Sequence, residues 1–133
     1  MLISALTGTI SHGSNDWIMD IGASKHMMRY KESLINMSEH ESPHKVKLGD
    51  DYQYPIKGSG VASYILESLE SLKMKDVSYV PGLKKNLLSI STLDAKGKRV
   101  TFVDNQVLMW PKGKIIDDAT MIGEEDSSLY KLK

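Results

Sequence analysis

Apolar residues fall along this chain in short clusters separated by turn formers, and few stretches hold one period for long. Trp17-Ile18-Met19 reads as a short apolar strand that runs into Asp20-Ile21-Gly22-Ala23-Ser24, where Gly22 permits a turn that other residues resist. An aspartate therefore stands at a strand-to-turn junction. A short helical turn is expected over 26–30, inside a polar stretch that reaches residue 44. Val46 and Leu48 alternate with Lys47, Gly49-Asp50-Asp51 forms a turn, and Tyr52, Tyr54 and Ile56 resume the alternation, which is the pattern of a β-hairpin. Residues 60–66 and 72–80 also favour strand. In the second of these, Leu72 and Met74 are one step out of phase with Val77 and Tyr79 before Pro81-Gly82 closes it.

Only one stretch argues for an α-helix. Ile90 and Leu93 are three apart, Ser91 and Asp94 have capping-box spacing, and Gly97 suits the C-terminal stop. Short strands are expected over 99–103, 106–110, 114–116 and 129–132, with turns at Asp104-Asn105 and Pro111-Lys112-Gly113. Residues 1–15 read as a flexible N-terminal segment or linker, and 16–133 as one domain. Short strands at short spacing with one short helix describe an all-β domain, a small closed barrel or folded sheet.

Composition narrows the functions available. A chain of 133 residues suits a single domain. Seventeen Lys and Arg balance seventeen Asp and Glu, so no net field draws the chain to nucleic acid or anionic lipid. The longest apolar run is Val107 to Trp110, far short of the roughly 20 residues a membrane helix needs. The absence of cysteine excludes disulfides, thiol nucleophiles and thiolate zinc sites, and it fits a reducing compartment. His12, His26, His40 and His44 lack ligand spacing apart from the pair at 40 and 44 in a polar loop, so no metal site is expected. Gly58-Ser59-Gly60 lacks the spacing of a phosphate loop and reads as a bulged strand. Lys84-Lys85, with Lys73 and Lys75, reads as a solvated basic face.

Alone, Asp20-Ile21-Gly22 is a three-residue pattern that also suits an Asp stabilising its own turn. Its context is more specific: an apolar strand before it, a Gly-Asp hairpin tip some way after, and Leu87-Leu88-Ser89 opening the only helix. On Trp17 to Met27, Val46-Lys47-Leu48-Gly49-Asp50, Gly58-Ser59-Gly60, Val77 to Ile90 and Leu129-Tyr130-Lys131-Leu132, the chain resembles the protease domain of copia-type LTR retrotransposon polyproteins. That family is a branch of the retropepsin-like aspartic proteases. The resemblance runs from Trp17 to Leu132 and is most specific over 79–90.

The resemblance implies a retropepsin-like fold with Asp20 as the catalytic aspartate and Ile21, Gly22, Ala23 and Ser24 as the active-site turn. The 46–57 hairpin becomes a substrate-covering flap, with Leu48, Gly49, Asp50, Asp51 and Tyr52 facing substrate. Leu87, Leu88 and Ser89 become the support packed behind the turn, and His26 a structural hydrogen-bonding residue. The chemistry needs two aspartates and the chain offers one such motif, so a homodimer is implied. The expected activity is endoproteolysis of a Gag-Pol-type polyprotein, on extended polypeptide, without metal or cofactor and without membrane or direct nucleic-acid partners. The expected location is the cytoplasm, virus-like particles included. One position departs from the family. Ser or Thr usually follows the catalytic Asp and bonds across the retropepsin dimer, whereas Ile21 has no hydroxyl. The alternative reading is an impaired or domesticated interaction domain that kept the fold.

Overall fold

Two apolar layers on opposite faces of one central sheet organise the chain. The structure, a computed structural model, describes residues 15–47 and 52–133. Among these, strands β1 (Trp17–Asp20), β2 (Met27–Met28), β3 (Ile35–Glu39), β4 (Lys45–Lys47), β5 (Gln53–Pro55), β6 (Gly58–Ile65) and β7 (Ser71–Tyr79) form the first half. The second half contains β8 (Asn86–Ser89), helix α1 (Ile90–Ala95), β9 (Lys98–Val103), β10 (Gln106–Pro111), β11 (Thr120–Asp126) and β12 (Leu129–Leu132). Ten strands form one sheet in the order β3-β6-β7-β2-β8-β1-β12-β11-β10-β9, while β4 and β5 pair separately. The protein is all-β. Its main sheet is folded but not closed by pairing, since β3 and β9 stand at its ends.

The centre of the sheet explains why Trp17-Ile18-Met19 and Leu87-Leu88 do not alternate with polar residues. β1 and β8 run parallel, with Ile18 opposite Leu87 and Asp20 opposite Ser89. Both strands are covered on both faces, so both faces demand apolar side chains. Trp17, Met19 and Leu88 enter the larger core with Leu34, Met74, Val77, Val107 and Ile122. Ile18 and Leu87 turn the other way, to Ala23, Met27, Val80 and Leu83. Val46, Tyr54 and Ile56 pack on this second cluster, which includes Ala23 of the turn that follows residue 20.

Several local expectations are corrected. Residues 26–30 are not helical: Met27 and Met28 form β2, which links β7 to β8, and a 3-10 turn follows at Lys31–Ser33. The stretch before residue 44 also contains β3, paired with β6. The phase change in 72–80 is a bulge, where the register passes from Gly60 opposite Val77 to Ala62 opposite Met74. Residues 114–116 are not a strand; a 3-10 turn occupies Ile116–Asp118, and β11 begins at Thr120. Asp104 and Asn105 both adopt positive φ, as a two-residue hairpin turn between β9 and β10 requires. The basic face is incomplete as well: Lys85 is 2% exposed and its ammonium stands 3.8 Å from Asp16.

Candidate active site

At residue 20 the chain leaves β1 and turns sharply. The backbone N–H of Gly22 donates to Asp20 Oδ1 at 2.7 Å, so the carboxylate caps its own turn. The residue is 8% exposed, and burial pushes its carboxyl above the ordinary carboxylate pKa. Backbone N–H bonds from Gly22 and Ala23 oppose that rise. A carboxyl with a raised pKa at the end of a central strand is the kind of group that acid–base chemistry uses.

The turn behind the carboxyl is fixed by hydroxyls from the start of α1. Ser89 is the helix N-cap, its Oγ accepting the N–H of Thr92 at 3.1 Å. The expected pairing of Ser91 with Asp94 is therefore not the cap. The Ser89 hydroxyl donates to the carbonyl of Ala23 at 2.6 Å, and the Ser91 hydroxyl reaches the same carbonyl at 3.2 Å. The Thr92 hydroxyl lies 3.2 Å from the Ser24 carbonyl. Leu87, Leu88 and Ser89 are fully covered, so the support lies directly behind the turn.

His26 locks the same unit from below. The backbone N–H of Ser89 donates to His26 Nδ1 at 2.9 Å, and the His26 carbonyl accepts the N–H of Ser78 at 2.9 Å. With Nδ1 accepting, the imidazole is neutral and carries its proton on Nε2. Burial, with the nearby Lys96 charge, lowers its pKa to about 4. The hydrogen-bonding role expected of His26 is present.

Among the expected flap residues, Tyr52 is described and exposed, whereas Leu48, Gly49, Asp50 and Asp51 lie outside the described residues. Ile21 is 71% exposed beside the buried carboxyl. His40 and His44 are exposed, and no cluster of metal-ligating side chains occurs among the described residues.

Asn86, with no expected role, and Lys85, read as solvated, are both buried. Asn86 is completely buried, and its side chain accepts the Arg29 N–H at 3.1 Å while donating to the Asn15 carbonyl and to Asn15 Oδ1 at 3.1 and 2.7 Å. It ties the entry of β1, the exit of β2 and the start of β8 into one node. Lys85 and Lys131 both approach Asp16, at 3.8 and 3.6 Å, on the same end of β1. A polar Asn ahead of an apolar pair was the available signal for the first. Nothing local marks Lys85 as buried.

An all-β domain that holds one acidic turn against a parallel strand pair is thus the class defined by fold and site. The chain belongs to the family described as Pol polyprotein, beta-barrel domain, which matches residues 17–98 and so includes the turn, the hairpin and the support. It is 30% identical over 92 residues to the retrovirus-related Pol polyprotein from transposon RE1 of Arabidopsis thaliana, covering 68% of this chain and 6% of that protein. The corresponding polyprotein from transposon RE2 is 32% identical over 82 residues, 62% of this chain and again 6% of the relative. A transposon Ty5-1 protein of Saccharomyces cerevisiae is 32% identical over 77 residues, 58% of this chain and 49% of that protein. The chain spans about 6% of the length of the two plant polyproteins it matches. No solved structure gives a significant match. This is a retrotransposon Pol-related domain.

Proposed function

We propose that this domain is the copia-type protease of such a polyprotein, an aspartic endopeptidase that works as a homodimer. The observation that carries the reading is the Asp20 turn: a carboxyl of raised pKa ends a central strand, with its backbone held by Ser89 and Ser91. One chain supplies one such carboxyl, so two copies would meet about a two-fold axis. Two carboxyls brought together there cannot both ionise easily and would share a proton.

In the reaction, the ionised Asp20 takes a proton from a water held between the two groups, and the resulting hydroxide attacks the scissile peptide carbonyl. The protonated Asp20 of the partner subunit donates a hydrogen bond to the developing oxyanion, and a proton then passes to the leaving amine as the C–N bond breaks. Substrate would lie extended beneath the 46–57 hairpin, adding main-chain hydrogen bonds as a strand. The packing of Val46, Tyr54 and Ile56 on the core next to the turn supports a covering role for that hairpin.

The test is cleavage of an apolar-flanked peptide at about pH 5, where a shared proton is retained, with and without pepstatin. Pepstatin-sensitive cleavage that disappears in Asp20→Asn is expected, with the fold unchanged. Cleavage that persists in Asp20→Asn would disprove the mechanism. The second reading, an interaction domain without chemistry, is favoured by Ile21 and predicts no cleavage from any version.

A further inference from the structure

We propose that the loop from Lys112 to Asp118 is a surface through which this chain pairs with a second copy of itself. Along the loop run two cations, Lys112 and Lys114, then two isoleucines, Ile115 and Ile116, then two anions, Asp117 and Asp118. Set antiparallel to itself about a two-fold axis, such a segment meets its own complement. The lysines of each copy face the aspartates of the other, and the isoleucines meet in the middle.

The loop is exposed along its whole length, with Ile115 and Ile116 at 64% and 48%. Backbone bonds hold it in one shape. The Lys112 N–H donates to the Gly97 carbonyl at 2.9 Å and the Lys114 N–H to the Pro111 carbonyl at 3.1 Å. At the acidic end, the N–H groups of Asp118 and Ala119 donate to the carbonyls of Ile115 and Ile116 at 3.0 and 2.9 Å. A surface already shaped in this way loses little freedom on binding. Its charges are also unspent. Among the described residues, the loop makes one ion pair, Lys112 with Asp94 at 4.0 Å, and none engages Lys114, Asp117 or Asp118. Like charges set side by side repel until opposite charges cover them.

The isoleucines of the second copy have a seat. Lys114 and Asp118 line, with Met109, Trp110 and Pro111, an open cavity of about 430 Å³. Apolar side chains that enter it lose contact with water between a cation and an anion. A partner of one sign, such as nucleic acid, would attract half of the loop and repel the other half. The surface is also clear of Asp20. Ile18 of β1 lies opposite Lys131, and Leu132 of β12 lies opposite Gly123 of β11, so Thr120, into which the loop leads, stands toward the start of β1. The pairing leaves the Asp20 turn uncovered and does not rest on the protease reading.

Sedimentation equilibrium of the full chain over a concentration series tests the proposal with three loop variants: Lys112→Glu with Lys114→Glu, Asp117→Lys with Asp118→Lys, and all four changes together. Each two-site variant carries one sign throughout and should lose at least about 10-fold in self-association. Their equimolar mixture should regain it. The four-site variant is again its own complement and should stay within a few-fold of wild type. Association at the Asp20 end, which no change touches, would be equal in every version and so is told apart from the loop contact. Equal self-association of all versions overturns the proposal, as does a mixture no tighter than its components, or a wild type monomeric at every concentration.

Discussion

At Asp20, burial and hydrogen bonding pull the same proton in opposite directions, and burial is the stronger. The folded chain therefore holds that proton more tightly than the unfolded chain does. Its contribution favours the fold at low pH and is lost as pH rises through the raised folded value. Asp20→Asn keeps an oxygen for the Gly22 N–H and cannot ionise. The variant should melt at a higher temperature than wild type at neutral pH, with the gap closing toward about pH 3, and a thermal scan series checks this. His26 has the reverse sign. Its folded pKa of about 4 lies below the ordinary 6.5, so the stability it confers is complete above the ordinary value and drains away as pH falls toward 4. Urea titrations should find the fold about 2 kcal/mol weaker at pH 5 than at pH 7 from this group alone. A shared-proton enzyme prefers acid and this histidine does not. On the protease reading, the two together would confine useful activity to a mildly acidic window.

At the scale of the elements, Ser89 is where strand, helix and turn meet. Ser89→Ala removes the α1 cap and the shortest bond to the Ala23 carbonyl together, so a loss of about 1–2 kcal/mol is expected, and in the proposed protease catalytic rate should fall more than substrate affinity. Chemical denaturation and steady-state kinetics separate the two effects. Asn86→Ala should cost about 1–3 kcal/mol, since the part-buried Arg29 N–H loses its acceptor. The site's frame was legible in the sequence through the family resemblance that Asp20-Ile21-Gly22 and Leu87-Leu88-Ser89 help to carry, since the residue types alone imply no more than a strand running into a turn. The local reading failed where tertiary pairing overrode pattern. Met27-Met28 is too short to show a period, yet it bridges β7 and β8. β11 went unseen because its turn into β12 is Ser127-Ser128, both at positive φ, a pair without the Asn or Gly that marks such turns. Lys85 looked solvated because a lysine pair gives no hint that one member folds under the sheet beside Asp16.

For the molecule as a whole, the proposed protease has one such carboxyl per chain, and its output would depend on encounter. Activity per protomer should climb with concentration and level off once most chains are paired, which a dilution series of fixed substrate would display; a flat response would show that a single copy suffices. The sheet imposes a further order of events. β1 begins at residue 17 and its parallel neighbour β8 at residue 86, so the pair that aims residue 20 closes only after the whole span between them has been made and arranged. Such long-separation parallel pairing is among the slowest steps a small domain takes. Between the making of Asp20 and the arrival of β8, a nascent chain therefore holds an aspartate already made but not yet aimed. On the protease reading, chain topology would act as a timer, keeping the cutting edge blunt until translation has moved past β8.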